Sequence, residues 1–71
     1  MSNWTQPVFS SVATEVGFDE QMGGMVVTWK NGKRSLYSGV SEDTAVECSK
    51  AASVGIFLNN EIKPNYRHQY V

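Results

Sequence analysis

A chain of 71 residues makes one domain and buries only roughly 60% of the surface that its unfolded form exposes. Six Lys and Arg against seven Asp and Glu give a formal charge of −1, which argues against a protein that holds long nucleic acid mainly by neutralising phosphates; 41% hydrophobic residues argue against disorder. The single cysteine, Cys48, cannot close an internal disulfide, and no N-terminal run is apolar enough for a signal peptide or membrane span. A cytoplasmic protein without a membrane partner is expected, with homo-oligomerisation as the route by which so small a core gains stability.

Residues 1–7 are polar except for Trp4, and Pro7 interrupts regular structure. They read as a flexible N-terminal arm ahead of a single domain over residues 8–71, with Trp4 a candidate for closing a subunit interface. Val12, Thr14, Val16 and Phe18 alternate with Ala13, Glu15, Gly17 and Asp19, the pattern of a strand with one buried face. Residues 19–24, DEQMGG, have hairpin length and composition and lead into a second strand over residues 25–30. The stretch 25–40, MVVTWKNGKRSLYSGV, places strand formers on both sides of Asn31-Gly32, which predicts a type I′ turn with positive φ at both residues. Residues 12–38 therefore read as a three-stranded antiparallel β-meander, ended by Gly39.

Ser41 places a capping hydroxyl before Glu42 and Asp43, so a helix of about ten residues is predicted, with Ala45, Cys48 or Ser49, and Ala52 inward. These small residues bury little area but permit close approach. Ser53 offers a second cap, and Val54, Phe57, Leu58 and Ile62 recur at helical spacing until Pro64 stops the helix. Residues 65–71 form a tail with Tyr66 and Tyr70, extended against the sheet edge. The fold class is α+β: a β-meander followed by two short helices and a C-terminal extended tail.

The segments Ser10-Ser11-Val12, Val16-Gly17-Phe18-Asp19, Trp29-Lys30-Asn31-Gly32-Lys33, Tyr37-Ser38-Gly39-Val40, and Ser53-Val54-Gly55 with Phe57, Asn59 and Ile62 resemble, in that order, the KTSC domain family. The resemblance covers residues 8 to 71. That family is named for a domain at the C-terminus of some lysyl-tRNA synthetases and includes free-standing bacterial and phage proteins of this size. It implies a small α+β fold and no enzymatic activity, and it supplies no settled ligand. The chain departs from the family where members tend to carry a basic residue and this one has Ile56, in a tail made less basic by Asn65, Gln69 and Tyr70, and in the small residues Ala45, Cys48 and Ser49 of the first helix.

Ser53, Val54 and Gly55 open a helix, where free backbone N–H groups suit a phosphate; equally, Ser53 is a cap and Gly55 makes room for the sheet. Lys30, Lys33, Arg34 and Tyr37 of the second hairpin, with Lys63, Tyr66, Arg67 and Tyr70 of the tail, place cations beside aromatic faces, a pairing that suits a nucleotide and is also common on solvated surfaces. Cys48 as a nucleophile needs a lowered pKa and a base; His68 is the one histidine and no acid is placed to orient it, which favours a buried structural thiol. One Cys and one His give too few soft ligands for a metal site, and no cofactor motif is present. The expected function is a non-enzymatic binding module for a phosphate-bearing small ligand such as a nucleotide. By analogy with the free-standing relatives, a phage copy would sequester a nucleotide signal of host defence. The alternative is a protein-protein interaction module, docking through a sheet edge or the small-residue helix, and an RNA- or DNA-binding accessory domain stands third.

Overall fold

The computed structural model describes residues 2–71. Five strands form one antiparallel sheet in sequential order: β1 (Asn3–Pro7), β2 (Ala13–Asp19), β3 (Gly24–Trp29), β4 (Arg34–Ser38) and β5 (Arg67–Tyr70). Between β4 and β5 the chain crosses one face as α1 (Glu42–Ser49) and α2 (Val54–Phe57), the latter running on into a π-helical turn, Leu58–Ile62. The α+β class stands, but the sheet has five strands rather than three. Both extra strands are edges, and an edge strand need not show a buried, alternating face.

Residues 3–7 are thus a strand and not a flexible arm. Pro7 sits at the end of β1, opposite Glu15, where its missing N–H costs the ladder little. Trp4 has a partner within its own chain: its indole N–H donates to Glu42 Oε2 (2.8 Å) while Ser2 Oγ donates to Oε1 (3.0 Å), so both carboxylate oxygens of α1's first residue hold the first edge. The Trp4 ring is half-buried against the core, so it does not lack a local partner in the way its polar surroundings suggest. β1 also lies close over β2, since a Cβ at Gly17 would run into the Trp4 carbonyl oxygen.

The second hairpin turns by a different device from the predicted one. The Trp29 amide donates to the Lys33 carbonyl (2.8 Å) and the Gly32 amide to the Trp29 carbonyl (3.0 Å), enclosing a three-residue loop. Gly32 has φ 87°, whereas no non-glycine residue described has positive φ, so Asn31 contributes its side chain instead: Oδ1 accepts from the Lys33 amide at 2.9 Å. A register shift between Ala13 and Glu15 also interrupts the predicted alternation of β2. The extra residue turns Ala13 inward with Val16 and leaves Val12 and Thr14 exposed.

The core lies between the sheet and the helices, where Val16, Met25 and Val27 meet Ala45, Cys48, Leu58 and Ile62, all with no exposed surface. Ser41 caps α1 as expected, accepting from the Thr44 amide, but the helix has eight residues and Ala52 lies beyond it, exposed. Ala45 and Cys48 let it settle closely on β2 and β3. α2 is a single turn; the wider turn that follows, with the Lys63 amide donating to the Leu58 carbonyl at 2.8 Å, buries both Leu58 and Ile62. No helix among the described residues is long and apolar enough to cross a membrane.

The observed turn separates the two residues of the Asn-Gly pair. Gly32→Val forces a branched side chain to positive φ and should cost about 1–2 kcal/mol. Asn31→Ala removes one side-chain hydrogen bond and should cost about 1 kcal/mol or less. Thermal unfolding of both variants checks this, and equal losses would restore a turn with positive φ at both positions.

Candidate binding cavity

The register of β4 and β5 sets Tyr37 opposite His68 and Ser35 opposite Tyr70, and that of β3 and β4 sets Met25 opposite Tyr37 and Val27 opposite Ser35. Because side chains alternate across a sheet, Trp29, Ser35, Tyr37, His68 and Tyr70 share the face that the helices cover. They lie towards its β5 edge, where an open recess of about 550 Å³ remains, lined by Trp29, Tyr37, His68 and Tyr70, by Lys30 and Asn31 of the hairpin loop, and by Val12 and Lys63.

One hydroxyl organises this recess. Ser35 is 0% exposed; its Oγ accepts from the Trp29 indole N–H at 2.7 Å and lies 2.7 Å from His68 Nε2. In the tautomer whose ring proton is on Nδ1, Ser35 accepts from Trp29 and donates to His68, which uses the buried hydroxyl both ways. The rings continue outward from there. Tyr37 and His68 have centroids 5.3 Å apart, tilted 42°, and His68 meets Tyr70 edge-on at 4.7 Å.

Two lysines complete the electrostatics. Lys63 Nζ sits 5.0 Å from the Trp29 ring centroid and Lys33 Nζ 5.5 Å from that of Tyr70, each as a cation over an aromatic face. Tyr37 is only 3% exposed, and burial first, then the neighbouring Tyr70, pushes its phenol above the ordinary value, so it stays a protonated donor. Among the described residues no enclosed side-chain polar atom lacks a partner and the Tyr37 hydroxyl has none, so it opens onto the recess.

Of the residues singled out in the sequence, the fold brings together Lys30, Tyr37, Lys63 and Tyr70 in this recess. Lys33 and Arg34 border a neighbouring hollow of about 420 Å³ that shares Tyr70. By strand alternation Arg34 and Arg67 point to the opposite sheet face, and Tyr66 is half-buried against the core. Ser53, Val54 and Gly55 do not join the recess. Ser53 Oγ accepts from the Ile56 amide (3.3 Å), Val54 is core, and Gly55 faces the chain itself, a Cβ there standing 3.4 Å from Ser10 Oγ and 3.6 Å from Val12 Cγ2. Reading by residue type missed four of the lining residues, Val12, Trp29, Asn31 and His68. The available signal was parity: once the tail is a strand, His68 and Tyr70 must share a face.

The sequence profile of the KTSC domain matches residues 9–66, a span that contains every segment on which the resemblance rested. The chain belongs to the KTSC domain family. A crystal structure of a KTSC domain protein from Yersinia pestis superposes on it with a TM-score of 0.86 at 24% sequence identity, covering 99% of each chain. At that identity the likeness is one of fold, and it extends the KTSC architecture over β1 and β5 as well as the profile-matched span. No curated protein matches the chain.

Within this KTSC domain, Cys48 lies in the helical layer of the core, and burial pushes its thiol up to about 11 from the ordinary 9.0. His68, on β5, is engaged with Ser35 of β4. The fold therefore holds the Cys48 proton more tightly than the unfolded chain does. The stability this gives is complete below about pH 9 and is lost as the pH rises through about 11. Melting curves of the parent should fall more steeply across that window than those of Cys48→Ala, in which the tyrosines still titrate. Parallel curves would show that Cys48 does not titrate as its burial requires.

Proposed function

We propose that this KTSC domain is a non-catalytic binding module that holds a small ligand carrying both an aromatic ring and a phosphate, a nucleotide being the natural case, in the recess beside β5. One observation carries the reading: Lys30 and Lys63 line the same recess as Trp29, Tyr37, His68 and Tyr70. The two ammonium groups suit a phosphate, and the rings offer a base the stacking surface that nucleotide sites commonly use. The Tyr37 hydroxyl adds a donor with no competing partner among the described residues. A recess of about 550 Å³ falls within the roughly 300–1,000 Å³ usual for small-molecule sites. Long nucleic acid fits less well, because Arg34 and Arg67 face away from the recess and the chain carries a formal −1.

The protein-interaction reading has one observation in its favour. Phe9, between β1 and β2, is fully exposed at 104% of its reference surface, an unusual position for so large an apolar ring.

Calorimetry against mono-, di- and cyclic nucleotides, with a short RNA as control, tests the nucleotide reading. Binding should weaken as salt rises. Tyr70→Ala removes a ring that is 64% exposed and should weaken binding about ten-fold without unfolding the chain. Lys30→Gln should weaken it less and flatten the salt dependence. No binding by the parent across the panel contradicts the reading and leaves the interaction module in front.

A further inference from the structure

Two aromatic rings of the recess already carry a lysine of the same chain, the half-buried Trp29 under Lys63 and the exposed Tyr70 under Lys33. The two members of the inner pair differ in freedom. The Trp29 indole is pinned through its N–H to the buried Ser35 hydroxyl and cannot swing away without leaving that bond. Lys63 follows the π-helical turn, its side chain is exposed, and no carboxylate pairs with it among the described residues. Its ammonium sits on a four-carbon stem and is held to the indole by the cation–π contact.

Resting on the nucleotide reading above, we infer that Lys63 is the specificity-determining residue of the recess, an exchangeable cover that yields the Trp29 face to a ligand's ring when that ligand also brings an anion for the ammonium to follow. An exposed cation–π contact is weaker than base stacking combined with a charge-assisted bond to phosphate, so a nucleotide gains on both counts. An uncharged nucleoside must displace the ammonium and offers it nothing in return. Inorganic phosphate draws the ammonium but leaves the indole bare. The recess is thereby selective for molecules that join a ring and an anion, and the discrimination resides in one side chain. Lys30 lines the recess and its ammonium covers no ring among the described residues, so it adds attraction for the anion without this coupling.

The test is calorimetry on the full chain with AMP, GMP, CMP and UMP, their four nucleosides and inorganic phosphate, for the parent and for Lys63→Met, which keeps the stem and removes the charge. The parent should bind its best nucleotide at least about ten-fold more tightly than the matching nucleoside. Lys63→Met should weaken that nucleotide by about ten-fold and tighten the nucleoside by about three-fold, collapsing the selectivity from both sides. The Trp29 indole N–H resonance should move on nucleotide addition to the parent, and retained amide dispersion in Lys63→Met verifies its fold. If the parent binds a nucleotide but Lys63→Met binds the nucleoside no more tightly, the exchange is overturned while the nucleotide reading stands. If the parent binds none of the nucleotides, both fall together.

Discussion

A single buried hydroxyl holds the β5 edge of this domain together. Ser35 Oγ, with no exposed surface, takes the indole N–H of Trp29 from β3 and meets Nε2 of His68 from β5, so three neighbouring strands converge on one atom. Every residue of β5 is exposed, so that strand gains little from hydrophobic burial. Its backbone ladder to β4 and the His68 contact keep it in place. Removing the hydroxyl leaves the partly buried Trp29 indole N–H without an acceptor, a loss on the order of 1–3 kcal/mol to the native state, and it also takes from β5 the His68 hydrogen bond to β4, on the strand with the least burial to replace it. The recess depends on the same atom, because Trp29 and His68 form two of its walls.

The opposite edge is held by the same kind of device. Glu42, in the first turn of α1, uses one carboxylate oxygen for Ser2 and the other for Trp4, fastening β1 to the helical layer. A core built largely from Ala, Val, Cys, Leu and Ile buries limited area, and the strands that enlarge the sheet beyond its hydrophobic centre are the polar ones. Directional hydrogen bonds at both rims supply positional definition there. At the centre, small residues do the positioning: Ala45 and Cys48 allow α1 close to the sheet, and the π-helical turn swings Leu58 and Ile62 into the remaining space.

What could be read in advance follows from this division. β2, β3 and β4 carry apolar alternation and turn residues, so the meander was legible, as were the caps at Ser41 and Ser53. β1 was not, since polar sequence in a solvent-facing edge strand looks the same as polar sequence in a loose arm, and β5 was legible only as a tail extended against the sheet edge. Asn31-Gly32 announced a hairpin but not its loop length, because glycine at positive φ serves two-residue and three-residue loops alike. For the recess, residue type pointed to Lys30, Tyr37, Lys63 and Tyr70, while Arg34 and Arg67 were lost to the other face by strand parity. His68 became visible only when the fifth strand fixed which of its side chains face inward, whereas Trp29 shares the inward parity of Met25 and Val27 on β3 and reads as core.

The domain is thus a sheet whose hydrophobic centre folds it and whose polar edge borders the recess, and the link between the two is Ser35. Hydrogen exchange of the backbone amides in Ser35→Ala tests that link most directly. Loss of protection should concentrate in the β4–β5 ladder, where the amides of residues 67–70 exchange faster by about ten-fold or more while those of β2 and β3 keep most of their protection. Unchanged protection along residues 67–70, or a uniform loss across all five strands, would contradict the role assigned to this hydroxyl.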